Sequence, residues 1–106
     1  MSAPAPARDA EGYLLDSADW DRGFALRVAL AEGIELSDAH WQVIEFLRDY
    51  HRRYQLSPPM RVLVKVMAPI LGEPKASSRR LYQLFPDGPA KQACKIAGLP
   101  KPVGCL

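Results

Sequence analysis

Apolar residues recur every three to four positions through most of this 106-residue chain, the period of a helix with one buried face. Trp20, Phe24 and Val28 are spaced by four. They predict a first helix from about Ser17 or Asp19 to Glu32, stopped at Gly33. Trp41, Ile44, Leu47 and Tyr50 or His51 mark a second, from an N-cap at Ser37 to about Gln55, with Asp38 favouring its first turn. Ser57-Pro58-Pro59 breaks that pattern and opens a third helix over about 59–71, with Leu63, Met67 and Ile70 inward and Val64 and Leu71 alongside. Pro69 should end or kink it, because proline removes a backbone hydrogen bond. A short helix over Arg79–Phe85 follows, capped by Ser77 or Ser78 and terminated by Pro86. Pro89 opens the last helix, which runs through Ala97 to a C-terminal cap at Gly98. The aromatic residues on these stripes read as core, and His40 and His51 read as surface or capping residues.

Little else is periodic. Residues 1–8 alternate Ala and Pro and read as a disordered lead-in. Glu11-Gly12-Tyr13-Leu14-Leu15 is a short extended or turn segment. No alternating strand pattern exceeds a few residues, so the expected fold is mainly α: a single-domain bundle of about five helices. The helical domain is expected over 9–98, and residues 99–106 form a flexible C-terminal arm.

Composition narrows the setting. Hydrophobic residues make up 48% and charged residues 25%, which suits one globular domain with one core. No apolar run approaches the roughly 18 residues of a membrane span, and the N-terminus has no apolar signal core. The expected setting is therefore cytoplasmic and reducing, where a cysteine pair is catalytic, redox-active or metal-binding rather than structural. A zinc site is disfavoured because the cysteines lack close spacing and the two histidines sit eleven positions apart on one helix. There is no phosphate-binding glycine loop and no cofactor site is expected. Charge is uneven: residues 1–47 hold three basic and nine acidic side chains, and residues 48–106 hold eleven basic and three acidic. The basic half is either simply solvated or faces an acidic partner, an anion or nucleic acid. Arg61, Lys91 and Lys101 are the candidate contacts for such a partner. No aromatic-interleaved basic stripe supports nucleic acid, which is not an expected partner.

Both cysteines fall in the last stretch, Gly88–Leu106. Cys105 is penultimate, on a segment with Pro100, Pro102 and Gly104, and reads as a reactive thiol on a movable arm. Eight residues beyond Gly98 reach at most about 26 Å. The prolines stiffen the arm, and Gly104 removes bulk beside the thiol. Cys94 lies eleven positions earlier, within the last helix. Closing so short a loop costs little, so a Cys94–Cys105 disulfide is sterically open. Lys91, Lys95 and Lys101 favour the thiolate, and the terminal carboxylate opposes it. The pair suits a cycle in which one sulfur accepts a group and the other resolves it. Equally, Cys94 reads as a small packing residue beside Ala90 and Ala97.

The same stretch resembles the DsrC/TusE family of sulfur-carrier proteins. The matching residues are Leu81-Tyr82-Gln83-Leu84-Phe85-Pro86, Gly88 to Cys94, Ala97 to Pro102, and Gly104-Cys105. Upstream, Glu11 to Leu14, Glu32-Gly33-Ile34, His40-Trp41, Phe46-Leu47-Arg48 and Ser57-Pro58 to Arg61 also match. The resemblance spans roughly 9–106. It implies an orthogonal helical bundle with a helix-turn-helix-like portion, an N-terminal β-hairpin and a mobile C-terminal arm. Here the hairpin is expected to be small or truncated, because the Ala-Pro-rich start replaces its first strand. In the family the penultimate cysteine, here Cys105, carries persulfide sulfur. In members with a second cysteine, here Cys94, the two join through a disulfide or trisulfide. Such a chain is a co-substrate of dissimilatory sulfite reductase (DsrAB) rather than a self-contained enzyme. It is loaded by DsrEFH/TusBCD-type sulfurtransferases and docks on a DsrMKJOP-type membrane complex. In the TusE branch, which serves tRNA 2-thiouridine formation, only the penultimate cysteine is present. Cys94 therefore favours the dissimilatory branch in this reading. A TusE-like relay and a helix-turn-helix DNA-binding regulator are the alternatives. The loop Lys75-Ala76-Ser77-Ser78 departs from the family pattern.

Overall fold

Why each helix starts and stops where it does is visible in its caps. We describe residues 6–73, 75 and 77–102 of a computed structural model. A 3-10 turn at Ser17–Asp19 comes first, with the Asp16 carboxylate accepting from the Ala18 N–H. Trp20 leaves that turn in an extended conformation. Helix α1 spans Arg22–Ala31 and is capped by Asp21, whose carboxylate accepts from the Phe24 N–H at 2.7 Å. The expected first helix is thus split, because Asp16 and Asp21 each cap a separate segment. Trp20 sits between the two rather than on a helical face. Phe24, Ala25, Val28 and Ala29 face the core, while Leu26 and Leu30 face solvent.

Helix α2 spans Asp38–Tyr54, after its Ser37 cap. Val43, Ile44 and Leu47 are buried along it, and Arg22 stacks over the half-buried Trp41 ring. Phe46, Tyr50 and Tyr54 stack in sequence along the flank, so the aromatic stripe leaves the core as it approaches the C-terminus. The helix stops at Gln55, a non-glycine residue at φ 59°. The Gln55 N–H donates to the His51 carbonyl at 2.8 Å, and its side chain donates to the carbonyls of His51 and Arg52 in the last turn.

Helix α3, Met60–Ile70, follows the Ser57-Pro58-Pro59 turn. Leu63 and Met67 are buried, but Ile70, expected inward, is exposed and Ala68 is buried instead. The helix ends one residue after Pro69, in line with the expected stop. Pro69 lies in the last turn, and the Leu71 N–H still donates to the Met67 carbonyl at 2.8 Å. Helix α4 is Arg79–Leu84, and α5 is Pro89–Ile96, opened by Gly88 at φ 114°.

Instead of a full hairpin, one antiparallel bridge joins Arg8 to Leu14. Asp9 accepts the N–H groups of Glu11 and Tyr13 on its carboxylate and so closes the turn. Residues 1–5 of the expected lead-in lie outside the described residues, whereas Ala7 pairs with Leu15. The architecture is mainly helical, as expected, with α5 packed against α1, α2 and α4. No helix among the described residues is long and apolar enough to cross a membrane.

His40, expected at the surface or as a cap, is both a cap and buried. Its Nδ1 accepts from the Ser37 N–H at 3.0 Å, and its Nε2–H donates to the Leu84 carbonyl at 2.8 Å. The ring meets Phe85 edge-on. One side chain therefore ties the start of α2 to the end of α4. Burial lowers its pKa; the Leu84 bond opposes that, and Arg80 adds to it. A second proton would have to go on Nδ1, against the Ser37 N–H. Since the folded state prefers the neutral ring, its stabilisation is full above the ordinary histidine value of about 6.5 and is lost as pH falls through the lower folded value. In urea denaturation the midpoint of the wild type should fall more steeply between neutral and mildly acidic pH than that of His40→Gln. Parallel profiles would contradict this assignment.

Candidate functional site

Helix α5 is built to be surrounded. Pro89, Ala90, Gln92, Ala93, Cys94 and Ile96 are all buried, as are Ala97, Gly98 and Leu99 beyond it. Small side chains at Ala90, Ala93, Cys94 and Ala97 let α1 and α2 approach closely. Buried Gln92 closes the N-terminal end: its Oε1 accepts from the Asp87 N–H, and its Nε2 donates to the Asp87 carboxylate. On one side the N-terminal turn leans on α5, where the Tyr13 hydroxyl donates to the Lys91 carbonyl at 3.3 Å.

Cys94 is fully buried, with Sγ 3.4 Å from Ser57 Oγ. Ser57 in turn lines a groove of about 300 Å³ together with His51, Gln55, Leu56, Pro100, Lys101 and Pro102. One wall is therefore the end of α2 and the turn into α3, and the other is the start of the C-terminal arm. Ser57 thus touches both this groove and the Cys94 sulfur. The arm is tied down by Lys101, whose ammonium lies 2.9 Å from the Glu11 carboxylate. That hydrogen bond and charge raise the Lys101 pKa.

The remaining expected site residues are dispersed. Lys91 lines a different groove, with Glu11, Tyr13, Glu32 and Asp87. Arg61 is exposed on α3. Lys95 is committed to Glu32 at 3.5 Å, as Lys101 is to Glu11, so neither is an unattached cation beside a thiol. Cys105 lies outside the described residues. No group of three or more His, Cys, Asp or Glu side chains among the described residues could hold a metal ion.

Two residues matter more than the sequence pattern suggests. Trp20 Nε1 donates to the Ile96 carbonyl at 2.9 Å, and Arg48 Nη1 donates to the Ala97 carbonyl at 2.8 Å. The Arg48 guanidinium also stacks on the Trp20 ring, 4.1 Å from its centre. Burial, and to a lesser degree Arg52, lowers the Arg48 pKa, but a guanidinium stays charged in any case. Trp20 was legible only as a helix-face residue. The signal to its actual position was the aspartate directly after it, which caps a helix that Trp20 cannot then join.

The chain belongs to the DsrC-like family: the family model described as DsrC like protein matches residues 3–106. Among curated relatives, the sulfurtransferase TusE of Sodalis glossinidius is 58% identical over 98 residues, covering 92% of this chain and 91% of that one. The sulfurtransferase TusE of Salmonella typhimurium is 54% identical, with 92% and 90% covered. Among solved structures, DsrC of Allochromatium vinosum superposes with a TM-score of 0.82 at 50% identity, covering 93% of this chain and 88% of that one. The oxidised gamma subunit of dissimilatory sulfite reductase (DsrC) from Archaeoglobus fulgidus gives 0.84 at 42% identity, covering 95% and 92%.

Because Cys94 fills a tightly packed position, its size should matter more than its sulfur. Cys94→Ala is expected to lower stability by about 1 kcal/mol, the order of cost of deleting one buried heavy atom. Cys94→Leu should cost more, roughly 1–3 kcal/mol, by overpacking α5 against its neighbours. Urea denaturation of both variants checks the order, and a neutral Cys94→Leu would contradict it.

Proposed function

We propose that this chain is a protein sulfur carrier of the TusE kind, in which Cys105 alone carries sulfur through a relay that ends in tRNA 2-thiouridine. The supporting observation is the 54–58% identity, over about nine-tenths of both chains, to relatives named sulfurtransferase TusE. Sequence reading alone favoured the dissimilatory branch because of Cys94. The fully buried Cys94 sulfur gives that residue a packing role that needs no second redox thiol. In the loading step the Cys105 thiolate attacks the outer sulfur of a donor persulfide. The donor S–S bond breaks, the donor thiolate leaves, and a persulfide forms on Cys105 with no net change in electrons. Such a chain is a co-substrate that passes sulfur between partner enzymes, with TusBCD- or DsrEFH-type sulfurtransferases as donors.

A second reading keeps both cysteines in the chemistry, with dissimilatory sulfite reductase and a DsrMKJOP-type complex as partners. It is favoured by one specific arrangement. Cys94 lies behind Ser57 on the groove that Pro100, Lys101 and Pro102 also line, and Cys105 follows Pro102 by only three residues. Three residues span at most about 10 Å, which keeps the second thiol within that reach of the groove residue Pro102.

Loading with a persulfide-bearing sulfurtransferase, followed by intact-mass and peptide spectrometry, separates the readings. The TusE-like relay predicts one added sulfur on Cys105, none in Cys105→Ser, and full onward transfer by Cys94→Ala. A sulfur-bridged Cys94–Cys105 peptide, with onward transfer lost in Cys94→Ala, would decide for the two-thiol cycle. Equal loading of Cys105→Ser would sink both.

A further inference from the structure

The C-terminal end of α5 is where an ordinary helix would leave carbonyl groups to water. Here each of the last five has a partner. The Ala93 carbonyl accepts from the Ala97 N–H, that of Cys94 from Leu99, and that of Lys95 from Gly98. The carbonyls of Ile96 and Ala97 are taken by side chains from elsewhere in the fold, Trp20 and Arg48. A cation at this end also suits the helix dipole. Arg48 Nη2 reaches the Ser17 carbonyl as well, at 3.4 Å, so the 3-10 turn, α2 and the end of α5 meet at one guanidinium. At Gly98 the backbone adopts φ 70°, and the Trp20 indole covers the residue so closely that a Cβ there would stand 2.5 Å from Trp20 Cδ1. Leu99, the first residue of the arm, is buried, whereas Pro100 and Lys101 are exposed.

The geometry points to Trp20 and Arg48 as positioning residues that clamp the root of the C-terminal arm and fix the direction in which it leaves the domain. An isolated helix end does not need two side chains on successive carbonyls, one of them stacked on the other. Both are placed where a change of backbone direction would begin, between Ile96 and Gly98. The consequence grows with distance. Gly98 to Cys105 is seven residues, at most about 25 Å, so tilting a proline-stiffened arm by about 20° at its root would carry the tip by roughly 8 Å. This inference rests on the carrier reading only for its purpose, since aiming matters when the tip must meet a partner thiol.

The test is a distance measurement on the arm. Nitroxide labels on Glu45→Cys, exposed on α2, and on Pro102→Cys, in a Cys94→Ala, Cys105→Ser background, report the direction of the arm by pulsed electron resonance. Trp20→Phe keeps an aromatic face but removes the N–H and the pyrrole edge over Gly98, and Arg48→Gln removes the charge and the stack. Either change is expected to at least double the width of the distance distribution, or displace its centre, in samples whose circular dichroism and thermal midpoint show a folded domain. A residue that only stabilises the core would lower the midpoint and leave the distribution unchanged, and that result overturns the clamp. Should Arg48→Gln fail to fold, Arg48→Lys, which keeps the charge but loses the planar stack, supplies the same readout. Sulfur loading of the chain with native cysteines is scored separately. A broadened distribution without loading leaves the clamp standing and removes the carrier reading, and an unchanged distribution with loading does the reverse.

Discussion

The fold depends on a short helix that is buried almost all round and yet hands the chain on to the exposed Pro100 and Lys101. A buried helix terminus cannot leave its carbonyls unpaired, since each lost hydrogen bond in a dry site costs about 1–3 kcal/mol. In α5 this constraint is met by recruiting donors from two distant parts of the sequence, Trp20 and Arg48. That choice fixes much else. Trp20 must leave the 3-10 turn before α1 begins, so an aspartate follows it to start the helix. Arg48 must lie on the inner flank of α2, half-buried, where its charge is tolerated because the Ala97 and Ser17 carbonyls and the indole surround it. Gly98 must lack a side chain because the indole occupies that space.

How much of this could be read from the sequence follows from which interactions are local. The helices of residues 37–54, 79–85 and 89–97 were legible because caps and apolar spacing act over three or four residues. Where a second element intervened, the local rule gave the wrong answer. Ile70 shares the spacing of Leu63 and Met67, but the inner face of α3 turns through Met67 to Ala68 and Leu71, which leaves Ile70 to solvent. His40 carries the composition of a surface residue, yet the Leu84 carbonyl forty-four positions away gives its ring a buried partner. Trp20 shares the spacing of Phe24 and Val28 but not their helix. In the site, Cys94 and the arm were visible as types and spacing. The groove between them was not, because Ser57 and His51 reach it only through the tertiary fold.

The buried sulfur of Cys94 shows why residue type alone does not assign a branch of this family. A cysteine on a helix lined with alanines is chemically a reactive group and sterically a small apolar filler. Both descriptions fit α5. Contact with Ser57, which lines the groove, keeps a chemical role open, while full burial supplies a sufficient structural role. The identity to relatives named sulfurtransferase TusE extends across the whole domain rather than one position, which is why it carries more weight than Cys94 by itself.

The uneven charge of the chain has a similar double meaning. Acidic residues crowd the first half and basic residues the second. Two of the pairings that join the halves lie around α5 and the arm: Glu32 with Lys95, and Glu11 with Lys101. Exposed ion pairs such as Glu11–Lys101 add little to stability, because water and salt screen them and the side chains lose freedom. Their value lies in direction. The clamp at Ile96 and Ala97 sets where the arm leaves, and Lys101 then lays it across the groove beside Ser57. The first restraint is half-buried and made of hydrogen bonds to backbone carbonyls, whereas the second is an exposed ion pair that weakens as ionic strength rises. The two restraints therefore act at different points along the chain, one at the helix end and one three residues beyond Gly98.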